Sequence, residues 1–405
     1  MRRTKSRRSS LSPRSRAQAS EGGYDSSVLV LTLSPGREHS VLRRHPWVLS
    51  GAVRSREGDE NAGIVEVRSS AGEVLGRGVA GSGRTIVAKL WTFGAEPFDG
   101  ETIRSRFRAA RSLRLAVVPP GTTGHRTLHA EGDFVPGVVA DRYGETHVVQ
   151  LASGGAAKAR QEIESAYRET FSPRALLVRT EGEPAEGGRE ASFEEYGLRF
   201  VADLASGQKT GFFLDQRENR NRVRRLAGGK SVLNLFSYSG GFSVAALAGG
   251  AARAVDVDSS EAALALARRH RGENGFAAED GDFVRADVFQ DLRIRVAAEE
   301  RWDVVVVDPP AFAKKKGDID RAARGYKDVA RLAMTLVSPG GFLLACSCSG
   351  LVSPELFQQV LFAAALDAKR TFSIVEKAGA GPDHPVSIYC PESEYLKAFF
   401  LRAAE

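Results

Sequence analysis

Cysteine is scarce in this chain. Only Cys346, Cys348 and Cys390 occur among 405 residues, with no C-x-x-C pair, which argues against a disulfide framework and a structural zinc site and predicts reduced thiols. No metal centre is expected. Long apolar runs are also missing: nothing approaches the eighteen or so uncharged residues of a membrane span, and the start lacks the apolar core of a secretory signal. A soluble cytoplasmic protein without membrane contact is expected. No internal repeat is evident.

Charge is present but unevenly spread. The formal net charge is +7, and the first twenty residues hold Arg2, Arg3, Lys5, Arg7, Arg8, Arg14 and Arg16 with no acid, so the rest of the chain is about neutral. This Arg/Ser-rich start cannot bury enough apolar surface to offset ordering entropy and is expected to be a disordered basic tail over residues 1–26. A phosphate-gripping arm, a transit peptide and a dispensable start all fit its composition.

From Ser27 to about Thr92, short β-rich runs broken by glycine predict a small barrel. Between the first two runs, Arg37 to Trp47 reads as a short helix with basic residues and an exposed aromatic, a surface suited to RNA. An Arg-rich amphipathic helix follows near Ile103 to Leu115. Val135 to Leu151 resembles a hairpin turning at Tyr143-Gly144-Glu145, with a further helix near 157–170 and strands near Leu176 and Leu198. The Gly/Glu-rich stretch from Glu181 to Glu190 reads as a loop.

Beyond Gly211 the rhythm becomes apolar strand, turn, helix. Candidate strands contain Val232 to Phe236, Ala254 to Val257, Phe283 to Ala286, Val304 to Val307 and Gly341 to Cys346. That alternation predicts an α/β unit with a parallel, doubly wound sheet covered on both faces. In such a sheet ligands bind beyond the carboxyl ends of the strands. Gly240 and Gly241, Asp258, Asp287, Asp308 and Cys348 each follow a different candidate strand, on that one edge.

The turn Tyr238-Ser239-Gly240-Gly241-Phe242 admits a ligand close to the backbone but does not fit G-x-G-x-x-G, which disfavours a pyrophosphate dinucleotide. Asp258 lies about twenty residues further on, where an acid can accept both hydroxyls of a ribose. Both features suit S-adenosylmethionine. Singly, a glycine turn or a strand-end acid is ordinarily a tight turn or a helix cap. Asp308-Pro309-Pro310-Ala311-Phe312 offers a carboxylate and carbonyls that can hold a flipped base, with Phe312 for stacking; a rigid strand exit explains the tripeptide equally well. Cys346, within its strand, reads as a small buried hydrophobe. Cys348, in a polar Ser-Cys-Ser-Gly turn, reads as a nucleophile for carbon 6 of a pyrimidine, whose carbon 5 then accepts a methyl group.

Several segments carry a resemblance. Gln208 to Arg217, Asn234 to Phe242, Arg324-Gly325-Tyr326-Lys327-Asp328, Ser347-Cys348-Ser349-Gly350 and Leu42 to Val53 are similar to the RlmI-type 23S ribosomal RNA (cytosine-C5) methyltransferases. The resemblance runs from about Ser27 to Arg402. It implies a PUA domain over 27–100, a small central α/β domain over 101–205 and a class I, Rossmann-like methyltransferase domain over 206–405 with a mostly parallel seven-stranded sheet. Carried over, Cys348 is the nucleophile and Asp308 the base-holding acid. The implied cofactor site comprises Gln208, Thr210, Phe213, Asp215, Phe236, Ser237, Gly240, Asp258, Ser259, Asp287 and Asp308. Contacts to the RNA are expected from Arg43, Arg44, Trp47, Pro309, Phe312, Lys315, Arg324 and Lys327, and a homodimer is compatible with the resemblance. Asp383-His384-Pro385-Val386 matches a segment to which the resemblance attaches no role. Methylation of an exocyclic amine, methylation of uracil carbon 5 and a non-catalytic RNA-binding or assembly role stay open as alternatives.

Overall fold

The computed structural model describes residues 28–180, 190–204, 210–313 and 315–405. The basic tail, the Gly/Glu-rich stretch at 181–189 and Gln208 lie outside the described residues.

The first unit is a six-stranded sheet of β1 (Val28–Leu33), β2 (Trp47–Leu49), β3 (Val53–Gly58), β4 (Ile64–Arg68), β5 (Val74–Ala80) and β6 (Ile86–Phe93), in the order β2-β6-β5-β4-β1-β3. Its inward residues, among them Leu31, Leu33, Val65 and Val67, make a separate small core. The helix expected over Arg37 to Trp47 is shorter: only His39–Leu42 is helical, and Trp47 opens β2. Trp47 is half-buried rather than exposed, because its indole Nε1 donates to Glu131 Oε1 at 2.8 Å and ties the sheet to the next unit.

That unit is a four-stranded sheet, β7 (Gly124–His129), β8 (Val138–Tyr143), β9 (Thr146–Leu151) and β10 (Ala175–Thr180), ordered β10-β9-β8-β7. The helices Gly100–Val117 and Arg160–Phe171 pack on it through Phe107 and Tyr167, and Trp91 of β6 joins the same core. Asp99 caps the first of these helices by accepting from Thr102 N at 2.8 Å, and Ser153 starts the stretch before the second in the same way. A hairpin of β11 (Glu190–Glu195) and β12 (Leu198–Asp203) follows.

The C-terminal unit holds the expected mostly parallel seven-stranded sheet: β13 (Ser231–Leu235), β14 (Arg253–Asp258), β15 (Phe283–Arg285), β16 (Trp302–Val307), β17 (Val337–Ser347), β18 (Phe372–Ala378) and β19 (Lys397–Ala403). The order is β15-β14-β13-β16-β17-β19-β18, with β19 antiparallel to both neighbours. The valines of β16 are buried on both faces, between the cluster holding Trp302, Tyr326 and Phe357 and the one holding Val223, Phe242 and Phe400. A strand that is apolar on both faces can only be central, which is why its run lacks alternation. Strand order reverses between β13 and β16, and a cleft opens there beyond their carboxyl ends.

Candidate active site

The cleft has a volume of ≈ 550 Å³ and lies between the ends of β13, β14, β16 and β17. Its floor is the loop after β13. Phe236, Tyr238 and Gly240 all take left-handed backbone conformations, at φ 56°, 46° and 72°. Ser237 N donates to Val257 O at 3.1 Å and Gly240 N to Ser237 O at 2.9 Å, so the loop is tied both to β14 and to itself. A Cβ on Gly240 would stand 2.8 Å from Ala267 Cβ, and the helix Gly241–Ala248 starts at the cleft as a result of that tight turn. Below the loop, Asp256 is fully buried and accepts from Asn234, Ser243 and Arg271 at 2.8, 2.6 and 2.7 Å. Burial lifts its pKa above the ordinary carboxyl value, and the Arg271 charge opposes that.

Asp258, at the end of β14, accepts from Tyr238 N and Ser260 N, both at 2.9 Å. Two backbone donors fix its carboxylate at the cleft wall, with lone pairs left for further donors. Ser237 Oγ is buried in the same wall without a hydrogen-bond partner among the described residues, so it has both a lone pair and a proton to offer a ligand. Together with Phe213, Asp215, Phe236 and Ser259, which also line the cleft, these groups fit an adenosyl cofactor bearing an amino-acid tail.

The opposite wall carries Asp308, Pro309, Pro310 and Cys348. Asp308 Oδ2 accepts from Gln216 Nε2 at 2.9 Å, and Gln216 is oriented by Asn219, whose Nδ2 donates to Gln216 Oε1 at 2.6 Å. Cys348 is half-buried, and its Sγ lies 3.9 Å from the carbonyl oxygen of Pro309. Cys346 is only 1% exposed; burial, with Asp308 adding to it, pushes its thiol well above the ordinary range, as suits an inert residue. The Ser347–Gly350 turn is anchored through Ser349, whose Oγ takes part in bonds to Ala313 N at 3.3 Å and Tyr326 OH at 3.0 Å. Carboxylate, carbonyls and thiol thus face the loop wall across one cavity.

Not every expected residue gathers there. Asp287 is exposed and caps the helix Val288–Ala297 through Gln290 N, outside the cleft lining. Thr210 is buried among Asp141 and Tyr143, to which its Oγ1 bonds at 2.5 and 2.8 Å, also outside it. Phe312 does not line the cleft but packs with its ring centroid 4.6 Å from that of Tyr326. Lys327 pairs with Asp367 at 2.7 Å, while Lys315 and Arg324 are exposed beyond the cleft rim. Arg43 and Arg44 are exposed in the turn between the helix His39–Leu42 and β2, with the Arg44 guanidinium 5.9 Å from the Phe93 ring centroid.

Gln216 and Lys397 were not anticipated from the sequence. Gln216 sits at the end of the Gln208 to Arg217 segment, where nothing in the spacing marks it as the partner of an acid 92 residues away. Lys397 is a lone charge beside the apolar run Ala398-Phe399-Phe400-Leu401, and that isolation was the available signal. The Asp383-His384 segment proves to be an internal junction: Asp383 takes a bidentate bond from Arg217 at 3.0 and 2.8 Å and another from Arg126 N at 2.9 Å.

Residues 144–402 match a family described as S-adenosylmethionine-dependent methyltransferase, and residues 31–93 match one described as a PUA-like domain. Ribosomal RNA large subunit methyltransferase I of Salmonella choleraesuis (strain SC-B67) is 40% identical over 391 residues, 92% of this chain and 97% of that protein. The protein of the same description from Salmonella arizonae is 40% identical over 390 residues, with the same coverage. The solved structure of SMU.776 complexed with SAH has a TM-score of 0.80 at 24% identity, covering 92% of this chain and 99% of that one.

Proposed function

Because the chain belongs to the S-adenosylmethionine-dependent methyltransferase family, together with ribosomal RNA large subunit methyltransferase I, we propose that it methylates carbon 5 of a cytosine in 23S ribosomal RNA through a Cys348 adduct at carbon 6. The observation that carries this reading is the half-buried thiol of Cys348 across Pro309 O in the same cleft as Asp308. Methylation of an exocyclic amine needs the carboxylate and carbonyls but has no use for a thiol.

When bound, the cofactor supplies an electrophilic methyl group on its sulfonium. Asp258 would accept hydrogen bonds from the ribose hydroxyls, Ser237 Oγ would bond a polar atom of the ligand, and Phe213 and Phe236 would cover its apolar surface. Asp308 accepts from the exocyclic amine of cytosine, with Gln216 holding the carboxylate in plane, and Pro309 and Pro310 keep the backbone carbonyls beside it fixed. Cys348 acts as the thiolate. Its sulfur adds to carbon 6, the ring electrons thereby concentrate on carbon 5, which would form its new bond to the methyl group, and loss of the carbon-5 proton to a base or water in the open cleft with expulsion of the sulfur as thiolate restores the aromatic ring. Thr210 and Asp287 support this site through the segment and the helix they hold. The exposed Arg43 and Arg44 supply phosphate contacts from the PUA-like domain, with Arg324 and Lys315 at the cleft side.

The test is mass spectrometry of nucleosides after incubation of the protein with labelled S-adenosylmethionine and ribosomal RNA from cells lacking the enzyme. Labelled 5-methylcytidine, lost in Cys348→Ala, is the expected result. Label in a methylated purine or in 5-methyluridine would replace the cytosine reading, and absence of label with intact cofactor binding would favour a non-catalytic role. Reversing Arg43 and Arg44 to Glu is expected to weaken RNA binding and to flatten its dependence on log salt by about 2, as each lost phosphate contact removes roughly 0.9.

A further inference from the structure

We propose that Lys397 is the positioning residue that readies Cys348 for attack: its buried ammonium pins the turn carrying the thiol and supplies the positive charge beside which that thiol ionises. This rests on the assignment of Cys348 as nucleophile.

Lys397 opens β19, and the antiparallel ladder sets its Cα opposite Ser347, the residue before Cys348. It is 3% exposed, between the buried Leu396 and Ala398. A lysine in such a strand is heavily desolvated, and the cost is met only if the charge is well bonded or used. Its Nζ donates to Ser349 O at 2.6 Å and to Tyr395 O at 2.7 Å, two neutral acceptors. Among the described residues no carboxylate forms an ion pair with it. Among the described residues the positive charge is therefore buried next to the Ser347–Ser349 turn without a bonded anion, and Cys348 is the ionisable group of that turn.

The surroundings fix the turn from both sides. Ser347 lies in the β17–β19 ladder, and Ser349 is held through its carbonyl by Lys397 and through its hydroxyl by Ala313 and Tyr326. Only the side chain between them remains half-open to the cleft. Burial lowers the Lys397 pKa to about 8, while Cys348 and then Glu394 draw it back up, so the side chain is still mainly protonated at neutral pH. A fixed ammonium in a poorly solvated wall favours a thiolate nearby, as lysines do beside reactive cysteines elsewhere, and it does so here against the Asp308 carboxylate of the same wall, the Tyr326 phenol and Glu394 beside Lys397. On ionisation the thiol proton leaves to water through the open cleft, the electron pair stays on Sγ to form the bond to carbon 6, and Lys397 keeps its three protons.

The experiment is the pH dependence of Cys348 carboxamidomethylation by iodoacetamide in the full chain, without RNA or cofactor, read by peptide mass spectrometry. Cys346 and Cys390 are 1% and 0% exposed and serve as unreactive internal controls. In the native protein the midpoint is expected below the ordinary cysteine value of about 8.5. Lys397→Met is expected to raise it by about one pH unit, a tenfold lower rate on the acid side, and Lys397→Arg to restore most of the difference. Equal midpoints in native protein and Lys397→Met would overturn the proposal. So would a native midpoint at or above 8.5, a result that needs no variant to fold. Since no base is methylated in this assay, a depressed midpoint in a protein that makes no 5-methylcytidine would remove the cytosine reading and leave the Lys397 and Cys348 pairing intact.

Discussion

Gln216 shows how a single side chain sets the chemistry of the cleft. Asp308 stands at the end of a strand with two prolines behind it, so no backbone N–H follows directly to orient its carboxylate. The Gln216 amide does so from another element, and Asn219 in turn keeps that amide from rotating. Gln216→Leu is expected to lower kcat/KM for RNA by about tenfold, the order expected for a hydrogen bond to a charged group, in single-turnover measurements. Asp258 is a similar case on the other wall, where two backbone donors hold its carboxylate. Asp258→Ala should weaken S-adenosylmethionine binding in calorimetry by roughly tenfold or more, since hydrogen bonds to a carboxylate contribute about 1.5–3 kcal/mol. An unchanged affinity would remove Asp258 from the cofactor site.

Among the elements, the loop after β13 is the most constrained. Three of its residues lie in left-handed space, and only one of them is glycine. Phe236 and Tyr238 accept that conformation at some cost because the bonds to Val257 and Asp258 over-determine it. Gly240 cannot be replaced as easily. A Cβ there combines the left-handed penalty of about 1–2 kcal/mol with contact against the buried Ala267 at 2.8 Å. Gly240→Ala should therefore lower stability by about 2–3 kcal/mol, the penalty plus moderate overpacking, and urea unfolding would read it as a lower midpoint at unchanged slope. The helix Gly241–Ala248 would lose its start at the cleft, so cofactor affinity should fall in the same variant.

Across the whole molecule, a buried polar junction joins the four-stranded sheet to the methyltransferase unit. Arg126 of β7 bonds Asp141 of β8 twice at 2.9 Å, Arg114 bonds Asp133, and Arg114 and Arg126 both reach Asp383 by way of its carbonyl or carboxylate. Arg217, fully buried, completes the set through its bidentate bond to Asp383. Removing one partner of such a pair leaves a buried charge, so Asp383→Ala should cost roughly 3–5 kcal/mol in denaturant unfolding. Burial would raise the Asp383 carboxyl, but His384 beside it and the Arg217 guanidinium hold it well below the ordinary 3.8. A depressed carboxyl contributes stability that is present above 3.8 and lost as the pH falls through that value towards its folded pKa. Acid titration of the native protein should show that loss, and Asp383→Asn should flatten it.

The sequence by itself determined the rhythm of the chain and the edge on which the chemistry stands. The four consecutive valines of β16 could only belong to a central strand, the hairpin at Tyr143-Gly144-Glu145 follows from a two-residue turn, and strand ends put Asp258, Asp308 and Cys348 on one side of a parallel sheet. Those signals are local, carried by residues a few positions apart. What only the tertiary structure decided is which distant groups meet. Gln216 beside Asp308, Lys397 beside the Cys348 turn and Asp383 among three arginines of other elements all depend on contacts across 48 to 269 residues. The same holds for the residues that turned away: Asp287 follows a strand yet caps a helix, and Phe312 follows Pro310 yet packs on Tyr326. Periodicity fixes the face of a strand, but the partner of a buried charge is set by the packing of whole elements, because only there does desolvation demand one.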